Sequence, residues 1–228
     1  MKRSIGEDVE VEAGLILDGH DKIAAELYYR FEDEPEQVAR MKLRWNDEYV
    51  ATFPIERLGR YYYRVQAWVD QFATWQDQFE RRVRGGDTDY EIRSELQAGA
   101  QLLRRAAAGA QGNAKKQLNA YAKAFEDGDV ETGLNQGVLQ LVRAHDPREG
   151  AVESETCTVL VDPERARFAA WYEFFPRSAA AEPGRHGTLD DAAERLPRIK
   201  DLGFDVVYLP PVHPIGLTNR KGKDNAPT

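Results

Sequence analysis

The sequence predicts a multidomain chain: a β-sandwich with an inserted helical bundle, followed by a βαβ unit with a parallel sheet. Three observations lead to this prediction. Apolar residues alternate with polar ones over about residues 9–69 and again at 157–161, as in strands with one buried face. Between them, residues 70–146 carry apolar side chains at steps of three and four, as in amphipathic helices. After residue 163, two apolar runs flank a helical pattern, which is typical of strands buried on both faces.

The first element predicted is a β-hairpin. Residues 9–17 and 23–31 alternate, and Asp18-Gly19-His20-Asp21 between them supplies turn chemistry. Three further alternating segments follow, at residues 41–45, 49–53 and 61–69. Repeated short strands separated by turns are typical of a sandwich.

The helical stretch is predicted to hold three or four antiparallel helices. The breaks between them fall at Gly85-Gly86, at residues 109–113 and at Gly128. The apolar stripe of the first helix consists of the aromatic residues Trp68, Phe72, Trp75 and Phe79. These rings form either an ordinary core or a dimer face, and the sequence leaves both open.

Strand periodicity returns at residues 157–161, and this alternation indicates that the single cysteine, Cys157, is a core residue. A β pattern that is interrupted by helices and then resumed indicates a helical insertion in a sandwich loop. The predicted domains are residues 1–70 plus 147–163 for the sandwich, residues 71–146 for the helical insertion, and residues 164–228 for the βαβ unit.

The last part of the chain predicts strand, helix and strand. Residues 168–175 are almost continuously apolar, and residues 206–209 form a second such run. Thr188, with Asp191 three residues later, resembles a capping box at a helix start. Pro197 lies inside the helical pattern and should kink or split the helix. A helix between two such strands predicts a parallel sheet.

Composition excludes several classes of protein. Lys plus Arg number 31 and Asp plus Glu number 39, so the net charge is 31 − 39 = −8, which argues against a nucleic-acid binder. Phosphate-loop, dinucleotide, HExxH and CxxC motifs are absent, and the four histidines lack metal-ligand spacing. The sequence shows no signal-peptide pattern and no apolar run of membrane-spanning length, so we expect a cytoplasmic protein with no membrane partner.

The candidate site is the segment after the second apolar run, LPPVHPIGLTNRKGKDN at residues 209–225. In α/β barrels, ligands bind in the loops that follow the strands. His213 lies between valine and proline, and Arg220, Lys221 and Lys223 cluster among glycines. An ammonium group there can meet an anion such as a sugar phosphate. A solvated basic loop without a ligand is the alternative that charge alone leaves open.

Three segments resemble the start of the barrel in α-1,4-glucan:maltose-1-phosphate maltosyltransferases, a family of the α-amylase-like glycoside hydrolase superfamily. They are WYEFFPRS at residues 171–178, HGTLDDAAERLPRIKDLGFD at 186–205 and VVYLPPVHPIGLTNRKGKDN at 206–225. HPIG followed closely by RKGKDN is the most specific of these. Upstream, GRYYYRVQAWVDQF at residues 59–72 is similar to that family's junction between sandwich and helices.

The resemblance implies that the βαβ unit is the first of a TIM (β/α)8 barrel and that the helical insertion contributes to a homodimer. It also implies a retaining transfer of maltosyl from α-maltose 1-phosphate to an α-1,4-glucan, with neither nucleotide cofactor nor metal. The family's catalytic Asp, Glu and second Asp lie on later barrel strands. We therefore expect no catalytic residue in this chain and no activity from the chain alone.

The resemblance assigns substrate contacts to three residues of the candidate loop. Lys221 is the first candidate, as a contact to the maltosyl phosphate, and Asn225 and His213 are weaker candidates on the pocket wall. Two alternatives remain open. One is another amylase-superfamily enzyme, such as a branching or debranching enzyme; the other is a stand-alone carbohydrate-binding or dimerisation module.

Overall fold

A computed structural model describes residues 1–214, 216–222, 224 and 226. The chain forms two compact units, residues 1–161 and 162–228. Each unit has its own secondary structure, so the two are described in turn.

Two β-sheets make up one part of the amino-terminal unit, and helices make up the other. The strands are β1 Lys2–Ser4, β2 Asp8–Gly14, β3 Ile23–Phe31, β4 Gln37–Arg40, β5 Lys42–Trp45, β6 Glu48–Pro54, β7 Gly59–Val69, β8 Val152–Glu153 and β9 Cys157–Asp162. One sheet has the order β1-β9-β7-β3-β4, with β8 also paired to β7, and the other has the order β2-β6-β5.

The two sheets share one hydrophobic core. Val9 of β2, Phe53 of β6, Leu27 of β3 and Val159 of β9 are fully or almost fully buried in it. The Tyr29 ring of β3 stacks on the Phe53 ring with centroids 4.7 Å apart, which joins the two sheets face to face. The unit is therefore rich in sheet and consistent with the predicted β-sandwich.

The predicted first hairpin is wrong. β2 pairs with β6 in one sheet, whereas β3 pairs with β7 in the other, in a register that runs from Ile23 opposite Val69 to Phe31 opposite Tyr61. The turn around Gly19, whose φ is +99°, therefore carries the chain from one sheet to the other. Alternation reports that one face of a strand is buried but does not identify the partner strand.

The prediction that Cys157 is a core residue is also wrong. Its alternation with Val159 and Val161 is real, because both valines are buried in β9. Cys157, however, is exposed at the first position of that strand. There it lines an open cleft of about 570 Å³ together with Val11 of β2.

Five helices follow β7 and precede β8. They are α1 Gln71–Gly85, α2 Asp89–Gly109, α3 Gly112–Glu126, α4 Val130–Leu134 and α5 Gln136–Arg143. The predicted breaks near Gly86, Gly109 and Gly128 are confirmed, and Gly86 ends α1 in the left-handed conformation with φ +79°. The number of helices exceeds the prediction because Asn135 ends α4 and its side chain caps α5, accepting a 2.7 Å hydrogen bond from the Gly137 amide.

The aromatic residues of α1 form the core of the helical part. Phe72, Trp75 and Phe79 are buried, and the Trp75 and Phe79 rings stack with centroids 5.0 Å apart. These side chains are therefore core residues of the chain itself and not a dimer face. Trp68, which was predicted on the same helical stripe, instead lies in β7, where its indole NH donates a 3.0 Å hydrogen bond to the Asp146 carboxylate.

The carboxy-terminal unit contains the predicted strand, helix and parallel strand. β10 Trp171–Glu173 pairs in parallel with β11 Val206–Tyr208, and the chain between them includes α6 Leu189–Glu194 and α7 Leu196–Asp201. Two short 3₁₀ turns cover Glu164–Ala166 and Pro176–Ser178. The predicted split at Pro197 is confirmed, since Arg195 separates α6 from α7 and Pro197 lies in the first turn of α7.

Burial of these two strands is less than predicted. The first strand has three residues rather than the eight-residue run, and Trp171 is 61% and Tyr208 46% exposed. Phe168, which begins the predicted run, is 80% exposed. Within the described part of the chain β10 and β11 pair only with each other, so no third strand flanks them.

None of the helices in the described ranges is both long and apolar enough to cross a membrane.

A candidate ligand cleft at the ends of two parallel strands

The candidate site lies at one edge of the two-stranded parallel sheet. The carboxyl ends of β10 and β11 share that edge, and the Phe174 amide donates to the Tyr208 carbonyl oxygen across it at 3.4 Å. A cleft of about 510 Å³ opens there between three short segments, residues 175–177, 187–189 and 210–213. Ligands of parallel α/β sheets bind at this edge, because the loops after the strands meet there.

The opposite end of the strand pair is fixed by Asp205. Its carboxylate accepts a 3.0 Å hydrogen bond from the Ala170 amide, and its own amide donates to the Ala170 carbonyl oxygen at 2.9 Å. These bonds hold Trp171 opposite Val206 in the parallel register. The loops at the cleft end therefore start from strands of fixed relative position.

The turn at Pro176–Ser178, which forms one wall of the cleft, is held by the chain just before α6. The Gly187 amide donates to the Arg177 carbonyl oxygen at 2.9 Å, and the Arg195 guanidinium donates to the Ser178 carbonyl oxygen, also at 2.9 Å. A Cβ atom at Gly187 would collide with the Pro176 carbonyl oxygen and lie 2.8 Å from the Ala180 nitrogen. Only glycine permits this close approach.

The start of α6 is fixed by a capping box, as the sequence predicts. The Thr188 hydroxyl accepts from the Asp191 amide at 3.3 Å, and the Asp191 carboxylate accepts from the Thr188 amide at 2.6 Å. Arg185 adds a bidentate contact to the same carboxylate, at 2.6 and 3.0 Å. The Arg185 guanidinium, followed by the bonds from Thr188, holds the pKa of Asp191 well below its usual range.

We predict that Arg185→Ala raises the pKa of the Asp191 carboxyl towards its ordinary value, because the largest cause of the lowering is removed. Because the folded-state pKa is depressed, any stability that this carboxylate contributes is present at neutral pH. It is lost progressively as pH falls from the ordinary pKa of an aspartate to that depressed pKa, and the variant has less of it because the two pKa values lie closer together. An NMR titration of the side-chain carboxyl carbon measures the shift. Arg198→Ala is the control, and an equal change in that variant would contradict the assignment.

The structure brings one of the three predicted site residues into the cleft. His213 lies on its wall and is exposed. Lys221 is exposed, in the segment after a turn whose Arg220 amide donates to the Leu217 carbonyl oxygen at 3.4 Å, and it is not among the residues that line the cleft. Asn225 lies outside the described residues.

Arg177 is the residue that sequence analysis missed. It lies four residues after the last position of β10 and lines the cleft together with His213. A signal was present, because WYEFFPRS places an arginine two residues after an apolar run that predicts a strand. Its significance depends on the cleft, which only the fold shows.

Among the described residues, no cluster of three or more His, Cys, Asp or Glu side chains could hold a metal ion.

Comparison with known proteins identifies the family. The model of the family described as alpha-1,4-glucan:maltose-1-phosphate maltosyltransferase, domain N/S, matches residues 1–163. The chain belongs to this maltosyltransferase family. That assignment favours the resemblance over the alternative of a branching or debranching enzyme.

Two relatives show how much of a maltosyltransferase the chain represents. A protein of Salinibacter ruber named alpha-1,4-glucan:maltose-1-phosphate maltosyltransferase is 54% identical over 228 residues, which cover 100% of this chain and 34% of that protein. A protein of the same name from Chlorobaculum tepidum is 40% identical over 232 residues, covering 99% of this chain and 34% of that protein. The chain thus spans about a third of the length of these maltosyltransferases.

Proposed function

We propose that this chain is the amino-terminal part of an enzyme that transfers maltosyl from α-maltose 1-phosphate to the non-reducing end of α-1,4-glucans, with release of phosphate. The observation that carries the proposal is the identity of 54% with the Salinibacter ruber maltosyltransferase over the whole chain. Agreement of this extent includes the candidate loop as well as the region that the family model matches.

In this proposal, residues 164–228 are the first βαβ unit of a TIM (β/α)8 barrel. Parallel pairing of β10 with β11, with helices between them, supports this assignment. The exposed apolar side chains of Trp171, Phe175 and Tyr208 also support it, because further barrel strands and helices would cover such positions. The cleft at the carboxyl ends of the strands then belongs to the substrate-binding face.

The remaining proposed domains are the sandwich, residues 1–70 plus 147–163, and the helical insertion, residues 71–146, as a homodimerisation element. Because Phe72, Trp75 and Phe79 are already buried within the chain, the dimer contact has to use the outer faces of the helices. Tyr90, at the start of α2 and 83% exposed, is a large side chain on such a face.

The chemistry proposed for the intact enzyme is a double displacement with retention. A carboxylate attacks the anomeric carbon, the bond from that carbon to the phosphate oxygen breaks, and phosphate leaves with the electron pair. The 4-hydroxyl of the glucan then attacks the anomeric carbon of the β-maltosyl-enzyme, and the bond from that carbon to the first carboxylate breaks. The hydroxyl proton passes to a second carboxylate, whose own proton went to the departing phosphate in the first step. These carboxylates belong to the part of the enzyme that this chain does not span, so the chain by itself is proposed to be inactive.

Within the chain, Lys221 is proposed to contact the donor phosphate, with Asn225 and His213 on the pocket wall. We predict that Lys221→Ala in the intact enzyme lowers kcat/KM for α-maltose 1-phosphate by about 1–3 kcal/mol of transition-state stabilisation, because a charged hydrogen bond is lost. Lys200→Ala, an exposed lysine on α7, is the matched control. An unchanged kcat/KM in the Lys221 variant would remove that residue from the site.

Phosphate release tests the function itself. The intact enzyme is incubated with α-maltose 1-phosphate with and without a malto-oligosaccharide acceptor, and free phosphate and acceptor length are followed together. The proposal expects phosphate release that depends on the acceptor and chains that grow by two glucose units. Growth from a nucleotide sugar, or branching without phosphate release, would contradict it.

A further inference from the structure

The cleft at the ends of β10 and β11 carries an uneven charge. No aspartate or glutamate is among the described residues that line it, and Arg177 is its one permanently charged lining residue. Its other polar lining side chains are those of Thr188 and His213, and proline and apolar residues make up most of the rest. A cleft of this composition favours a ligand that is partly neutral and carries one anionic group.

Arg177 is exposed. Within the described ranges, no acidic side chain pairs with it. Many other arginines of the chain are ion-paired, as Arg185 is with Asp191 in the same unit. Arg177 thus retains its hydrogen-bond donors for a ligand, and a guanidinium binds phosphate with two parallel N–H···O bonds.

The backbone under Arg177 is held in position before any ligand arrives. Its carbonyl oxygen accepts from the Gly187 amide, the next carbonyl accepts from Arg195, and Pro176 before it is buried. Gly187 in turn precedes the Thr188 capping box. A binding residue on so constrained a turn loses less entropy on binding than one on a free loop.

We propose that Arg177 binds the phosphate of the donor sugar in this cleft and makes the site selective for a sugar phosphate over an uncharged glycosyl donor. This inference rests on the proposed transfer from α-maltose 1-phosphate. It is argued from the lining of the cleft and not from the proposed Lys221 contact, because Lys221 is not among the lining residues. The contact strengthens as the bond to the anomeric carbon breaks, because negative charge then accumulates on the departing phosphate.

The test compares two donors in the intact enzyme, α-maltose 1-phosphate and α-maltosyl fluoride, which carries the same sugar but no phosphate. For Arg177→Ala we expect kcat/KM with the phosphate donor to fall about 10- to 150-fold, the range for loss of a charged hydrogen bond. With the fluoride donor it should stay within about twofold of wild type, since the lost contact is absent there. Arg177→Lys should recover part of the loss, because lysine restores the positive charge but not the two parallel N–H donors of a guanidinium.

Two further measurements separate a binding role from a structural one. The inhibition constant of inorganic phosphate should rise in Arg177→Ala, and the Tm should match that of Arg198→Ala, which removes an exposed arginine of α7 outside the cleft. Equal losses with both donors, or no loss with either, would overturn the proposal. If the wild-type enzyme itself releases no phosphate from α-maltose 1-phosphate, the proposed function fails and this inference falls with it.

Discussion

Replacing Asp70 with alanine should lower the free energy of unfolding of the amino-terminal unit by about 3 kcal/mol. Asp70 is 1% exposed and serves two purposes. One carboxylate oxygen accepts from the Ala73 amide at 2.9 Å and caps α1, and the other accepts from the Arg143 guanidinium at 2.8 Å. The Arg40 guanidinium lies 3.6 Å from the same oxygen.

The cost is large because two cations would lose their shared anion. Burial, and then the nearby Arg143, already hold the pKa of Arg40 below its usual value, so these two guanidiniums oppose each other. Both arginine side chains are about one-third exposed, which keeps the expected loss at the lower end of the range for buried pairs.

Chemical denaturation of the chain, followed by far-ultraviolet circular dichroism, measures this loss. Asp77→Ala is the control, because this carboxylate of the same helix pairs with Lys22 and Arg81 at the surface. Its removal should lower the free energy of unfolding by at most about 1 kcal/mol. Equal free energies of unfolding for the two variants would show that the contacts of Asp70 with Arg143 and Arg40 do not stabilise the chain more than a surface ion pair does.

Adding a single methyl group at Gly99 should destabilise the helices by about 3 kcal/mol. A Cβ atom there would lie 2.5 Å from Cε2 of the Trp75 ring. The ring cannot move away easily, because its NH donates to the Glu95 carbonyl oxygen at 2.8 Å. The ring centroids of Phe79 and Phe125 also lie 5.0 and 5.1 Å from that of Trp75. The strain exceeds the gain of about 1 kcal/mol from alanine's higher helix propensity.

Gly109→Ala provides the matched control on the same helix. Its added Cβ would meet nothing closer than the His145 carbonyl oxygen at 4.0 Å, so this variant should be as stable as wild type or slightly more stable. Thermal unfolding of both variants, followed by far-ultraviolet circular dichroism, gives the comparison. A Gly99 variant as stable as the Gly109 variant would mean that the tryptophan repacks at no cost.

The sequence predicts local structure well where a single residue determines where a helix begins, ends or splits. Pro197 splits a helix, Gly86 ends one and Thr188 starts one, because each effect depends on the residue's own backbone or side chain. Pairing of β2 with β6 rather than β3 could not be predicted, since strands with the same alternation are interchangeable as partners. The short strand β4 has no alternating apolar pattern in QVAR and was missed.

The position of the cleft could be predicted from the sequence, but not all of the residues that line it. Its location after a strand that ends in Pro210-Pro211 follows from the parallel βαβ pattern. Its walls come from three separate segments, and only folding brings Arg177 near His213. Lys221 was chosen from charge and resemblance, and neither specifies which residues share a cleft.

The position of the five helices also has a consequence for the order of folding. The chain leaves the sheet after β7, forms the five helices and returns to the sheet at β8. There β8 pairs with β7, with Gln66 opposite Glu153. The Ser154 hydroxyl accepts a hydrogen bond from the Val65 amide, and these two residues lie 89 positions apart in the sequence. Closing so long an open chain is entropically costly and slow, whereas folded helices bring its ends together first. We therefore expect β9 to join its sheet late, so that hydrogen-exchange protection of residues 157–161 develops after that of α1 and α2.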